Sequence, residues 1–186
     1  MGLSIHYSGY IINKAMIIPL IEEVEDICKA LNWSTHIIDD EEIKGISFAP
    51  AGSEPVFLFF NTDGRIVSLV NLVSQLIPGD MDGENILFTA STKTQYAGAD
   101  AHIAIIRLLK HLSKKYLKDF TLTDEGYYWE TGDENILRKQ FRNYEAAINT
   151  FCEALKDFPS DPGETSESLG DRLERFLKEK FGGEME

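Results

Sequence analysis

The chain has 186 residues, 43% hydrophobic and 26% charged, a length and balance that let a core form without disulfide or metal staples. Its formal net charge of −13, from 31 acidic against 18 basic residues, argues against a nucleic-acid backbone, which needs a basic stripe, and against an anionic membrane surface. The same charge suits a basic, cationic or metal-bearing partner, or solubility alone.

Leu3, Ile5 and Tyr7 alternate with Ser4, His6 and Ser8, which predicts a half-buried strand with His6 on its polar face. A helix is expected from about Lys14 to Leu31, with Ile17, Leu20, Ile21, Val24, Ile27, Cys28 and Leu31 on one stripe and Pro19 tolerated in the first turns. Short strands follow at Ser34–Ile38, Gly45–Ala49 and Val56–Phe60, the last an apolar run suited to a central position. Asn61-Thr62-Asp63-Gly64 is a hairpin signal, because Gly accepts the positive φ of a tight turn, and Arg65–Val70 is the expected return strand. Residues 69–77 have helical spacing and read as strand or helix; Pro78–Gly83 reads as a loop and Asn85–Ser91 as a strand.

The second half is more helical. A helix opens at Gly98 or Asp100 and runs to about Tyr116, with Ala101, Ile105, Leu108, Leu109, Leu112 and Tyr116 as its core stripe and His102 beside it. Phe120–Asp124 is a strand, and Thr131-x-x-Glu134 matches a capping box for a helix with Leu137, Phe141, Tyr144, Ile148, Phe151, Cys152 and Leu155 on one face. Pro159–Ser168 is a polar linker before an amphipathic helix bearing Leu169, Leu173, Phe176 and Leu177. The expected architecture is α+β: a single mixed or largely antiparallel sheet with three amphipathic helices on it, residues 1–158 forming one domain and 159–186 the linker and extra C-terminal helix.

Cys28 and Cys152 are both expected on apolar helix faces, as small hydrophobes rather than a bridge. The N-terminal residues lack the apolar core of a signal peptide, and no run approaches a membrane span, so the cytoplasm is the expected address. His6, His36, His102 and His111 show no metal-ligand spacing, and the calcium-loop opening at Asp80-x-Asp82-Gly83 ends on Ser91 instead of a bidentate Glu. No metal or cofactor is expected.

Two segments could carry chemistry. In Asp124-Glu125-Gly126-Tyr127-Tyr128-Trp129-Glu130, carboxylates flank three consecutive aromatics, which have an apolar body and a polar tip and cannot all enter one core from an extended chain. In Thr94-Gln95-Tyr96, with His102 after it, a polar segment leads from a strand into a helix, where backbone N–H groups can meet an anion and His102 can serve as a base. The first reading is a non-catalytic binding or regulatory protein that uses Thr94, Gln95, Tyr96, Tyr127, Tyr128 and Trp129 toward a protein or small molecule. The alternative is a hydrolase-like enzyme, with or without a metal, in which His102, Asp124, Glu125 and Glu130 converge on one cleft.

Three strings together resemble an uncharacterised family of small bacterial proteins: Met1–Tyr7, Lys93-Thr94-Gln95-Tyr96-Ala97-Gly98 with His102, and Asp124-Glu125-Gly126 through Trp129-Glu130-Thr131-Gly132-Asp133. The resemblance covers the chain to about residue 155. It implies a bacterial cytoplasmic setting and one domain for that stretch, and it transfers no catalytic residue.

Overall fold

The computed structural model describes residues 3–68, 89–156, 158 and 166–181. In chain order the elements are β1 (Ser4–Ile11), a 3-10 turn (Lys14–Met16), α1 (Ile17–Leu31), β2 (Ser34–Asp39), β3 (Ile43–Ala49), β4 (Val56–Asn61), β5 (Ala90–Lys93), α2 (Gly98–Tyr116), β6 (Leu117–Asp124), α3 (Tyr128–Thr131), α4 (Glu134–Lys156) and α5 (Ser166–Phe181). The fold is α+β. Contacts divide the chain into two compact units, Met1–Phe141 and Arg142–Glu186.

The first unit holds two three-stranded sheets, β5-β1-β6 and β2-β3-β4, in which every pairing is antiparallel. The Asn61–Gly64 turn connects them. Gly64 sits at φ 77°, its N–H reaches Asn61 O, and the Asn61 side chain accepts from the N–H groups of Asp63 and Arg65. Arg65 and Ile66 then bridge to Tyr10 of β1 and Phe60 of β4, so the expected return strand is, in its described part, a two-residue staple between the sheets. A second tie is Tyr7, buried on β1, whose hydroxyl accepts from Phe57 N at 2.8 Å and donates to Phe57 O at 3.1 Å. Burial pushes the Tyr7 phenol up, and the bond to the Phe57 backbone offsets part of this.

Two helices pack on this framework. α1 turns Ile17, Leu20, Ile21, Val24 and Cys28 inward and packs on β2 and β3. α2 packs on β6 and buries His102, Ile103, Ile105, Ile106, Leu108, Leu109, Leu112 and Tyr116. The apolar ones join Ile5, Tyr7, Ile11, Ile46, Phe48, Leu58 and Phe60 in one core, each large side chain contributing roughly 1.5–3 kcal/mol on leaving water. The second unit holds α4 from Arg142 onward and α5, with Phe158 edge-on to Phe176 at 5.2 Å and the Arg172 guanidinium over the Phe158 ring.

Several expectations change. β6 starts at Leu117, ahead of Phe120. The strand expected over Asn85–Ser91 is described from Ala90 and continues to Lys93. Cys152 is exposed while Cys28 is buried. Ser166–Ser168 belong to a helix rather than to the linker. The expectations for residues 69–88 and 159–165 lie outside the described residues.

Candidate functional site

β5 ends where Thr94 leaves it. The Thr94 N–H still reaches Leu3 O at 2.9 Å, so its side chain stays inside. α2 begins four residues later, and its first turn brings His102 beneath that hydroxyl: Thr94 Oγ1 lies 2.7 Å from His102 Nδ1, and His102 Nε2 lies 2.9 Å from Asp124 Oδ1 at the end of β6. The His102 and Asp124 side chains have no exposed surface. The Phe141 ring meets His102 edge-on at 5.8 Å. The sequence expectation that His102 stands beside the core stripe is therefore corrected: it lies on the stripe, in line with Ile105, Ile106 and Leu109.

Asp124 is saturated with donors. Oδ1 accepts from Gly126 N at 2.7 Å as well as from His102, and Oδ2 accepts from Tyr128 N at 2.7 Å and Trp129 N at 3.0 Å. Burial by itself raises this carboxyl, but the hydrogen bond and attraction of His102, joined by the Trp129 and Gly126 N–H groups, outweigh it and hold Asp124 below its ordinary value. An ionised carboxylate with four donors fixes the hydrogen on His102 Nε2. The Thr94 hydroxyl has one hydrogen for two acceptors, Nδ1 and Leu3 O. Directed to Nδ1 it leaves the ring neutral; directed to Leu3 O, Nδ1 donates and the ring is cationic.

This clamp shapes the turn that follows β6. Gly126 is there for room: a Cβ on it would overlap the Leu137 methyl and crowd Asp124 Oδ1 at 3.1 Å and His102 Nε2 at 3.2 Å. The change of chain direction falls instead on Tyr127, at φ 60°. The three aromatics then separate. Tyr128 is buried, its hydroxyl accepting from Arg107 Nε at 3.1 Å; Trp129 is half-buried between Phe120 and Lys110; Tyr127 is 53% exposed. The expected capping box does not form. Thr131 donates to Tyr127 O and closes α3, while Asp133 caps α4 by accepting from Asn135 N at 2.8 Å.

Of the four candidate catalytic residues, His102 and Asp124 touch. Glu125 is exposed, accepting from Ser4 N at 2.7 Å with His6 Nε2 at 3.8 Å. Glu130 is exposed and has no side-chain partner among the described residues. Of the binding candidates, Thr94 is buried in the clamp, Gln95 is part-buried with Oε1 lacking a donor among the described residues, and Tyr96 is 76% exposed. Sequence reading missed Arg107 and Phe141, which hold Tyr128 and His102 in place. Among the described residues no three His, Cys, Asp or Glu side chains converge as a metal site, and no helix is long and apolar enough to cross a membrane.

No family model matches the chain, and no curated protein or solved structure matches it. What the site can do follows from its own geometry.

Proposed function

We propose that the protein is a non-catalytic binding protein whose contact surface is the turn from Glu125 to Glu130. The observation that carries this reading is Tyr127. A non-glycine residue in the left-handed region costs about 1–2 kcal/mol, and a ring left 53% exposed recovers little of it by burial. The clamp beneath supports the same reading, because three backbone N–H groups on one buried carboxylate hold the turn in a single shape, and pre-organisation lowers the ordering cost of binding. Glu125 and Glu130 flank Tyr127 in the chain and are both exposed, a charge that favours a partner with lysine or arginine beside an apolar side chain.

The test compares immobilised wild type, Tyr127→Ala and Trp129→Ala in lysate from the native host, followed by affinity measurement on whatever the wild type retains. A retained protein that binds Tyr127→Ala at least about ten-fold more weakly, at unchanged thermal stability, supports the surface. Equal binding by all three contradicts it.

The hydrolase-like reading draws on one observation, the hydroxyl–imidazole–carboxylate line of Thr94, His102 and Asp124, a sequence of groups used by nucleophilic enzymes. It requires substrate to reach side chains that have no exposed surface. Turnover of esterase, phosphatase or peptidase substrates, with or without divalent metal, that disappears in His102→Gln would favour it over the binding reading.

A further inference from the structure

A cleft of about 470 Å³ opens between α1 and α2, away from Tyr127 in sequence and built from different side chains. That volume is in the range of small-molecule sites, roughly 300–1,000 Å³. Its lining is apolar at depth, where Ile103 and Leu108 are buried, and on the wall, where Leu31 is 46% exposed beside Ile27. Charged groups stand at the mouth.

Those charged groups are unequally satisfied. The two carboxylates are both engaged: Asp100 by Arg138 at 2.5 Å, and Glu134 by Arg107 at 3.1 Å and Arg138 at 3.5 Å. Arg107 is held at two points, with Nε on the Tyr128 hydroxyl and Nη2 on Glu134, and its Nη1 has no partner among the described residues. A guanidinium fixed on two sides with a free nitrogen is a pre-organised anion donor. His111, one helical turn further along α2, is oriented in the same way: Nε2 meets Glu23 Oε1 at 2.6 Å and Nδ1 has no partner among the described residues. Glu23 is held ionised, down to about 2, chiefly by the hydrogen bonds from Lys115 and Tyr116, with His111 adding to them. The hydrogen of the His111–Glu23 bond therefore lies on Nε2. The unspent capacity of this mouth is thus a donor on Arg107, above an apolar lining.

We infer that this cleft binds a small amphipathic carboxylate, with its hydrocarbon chain on Ile27, Leu31, Ile103 and Leu108 and its head group on Arg107. The site shares no lining residue with the Tyr127 surface, although Arg107 braces Tyr128 beside it.

The probes are sodium octanoate, n-octanol and n-octylamine, titrated into the full chain and followed by two-dimensional amide NMR. Octanoate is expected to saturate at about 1 mM or tighter and to shift amides of α1 and α2. Octanol and octylamine should bind about ten-fold more weakly or not at all. Arg107→Gln should weaken octanoate about ten-fold. Because Arg107 also supports Tyr128, a second variant is needed. Ala104→Leu keeps a good helix former at a part-buried position lining the cleft; its extra atoms should abolish octanoate binding while the rest of the spectrum is retained. Octylamine or octanol binding as tightly as octanoate would overturn the inference. So would octanoate affinity unchanged in either variant, or octanoate that never saturates.

Discussion

Helix α2 carries two histidines, each bonded through Nε2 to a carboxylate from another element, and they do opposite things. His102 and Asp124 are 2.9 Å apart with no exposed surface. His111 and Glu23 are 2.6 Å apart with side chains 52% and 23% exposed. The chemistry of the pair is the same; what differs is the alternative open to each partner when the other is lost. Around His111, water replaces the missing bond. Around His102 no water has access, and the Gly126, Tyr128 and Trp129 N–H groups that converge on Asp124 lose their acceptor along with the ring. A buried pair therefore dictates local structure, while an exposed pair adjusts it and keeps a ring nitrogen available.

The sharpest break in that comparison is Asp124→Ala. Removing a fully buried carboxylate from its hydrogen-bonded histidine costs about 3–5 kcal/mol, read as a lower urea midpoint, and three N–H groups are orphaned as well. The same carboxylate sets a pH dependence. Its folded value lies below the ordinary 3.8, so its contribution is complete above that value and drains away as pH falls through the folded value. Wild type should lose stability on acidification below about pH 4 more steeply than Asp124→Asn. Equal slopes would remove Asp124 from the account. Gly126→Ala comes next, at about 1–3 kcal/mol from overpacking against Leu137, itself fully buried.

The exposed pair predicts smaller numbers. His111→Gln should cost no more than about 1 kcal/mol by urea denaturation. Glu23 is depressed from 4.5 to about 2, so its share fades as pH falls across that interval. A cost for His111→Gln that matched Asp124→Ala would erase the distinction between the two pairs. The smallest effect, and one of opposite sign, is Tyr127→Gly. Relief of the left-handed strain, about 1–2 kcal/mol, exceeds the glycine entropy cost of about 0.5–1 kcal/mol, so the midpoint should hold or rise slightly while the proposed contact surface loses its ring.

Periodicity made much of the fold legible. The alternation in β1, the three-and-four spacing of α1 and α2, and the Asn61–Gly64 turn each have a local cause that reads directly from residue order. The site was harder to read because its determinants are not local. His102 has the spacing of a core residue, and its polarity placed it off the stripe; what overrides polarity is Asp124, 22 residues on, which supplies the missing hydrogen bond. Gly126 invites a left-handed assignment, yet the left-handed residue is Tyr127 and the glycine is needed for clearance from Leu137. Thr131 has the sequence of a cap, but its hydroxyl donates to Tyr127 O and accepts from Asp133 N, one residue short of Glu134, and the capping of α4 falls to Asp133.

The most direct test of the contrast between the two histidines is hydrogen exchange at their ring N–H groups, followed in imidazole 1H–15N spectra of the full chain. The His102 Nε2–H should give a resolved signal protected from solvent exchange and lost in Asp124→Ala, while the His111 Nε2–H exchanges too fast to be seen. A His102 ring that exchanges as readily as His111 would mean that solvent, and hence a substrate, reaches the Thr94–His102–Asp124 line, and the account of it as a sealed clamp would be wrong.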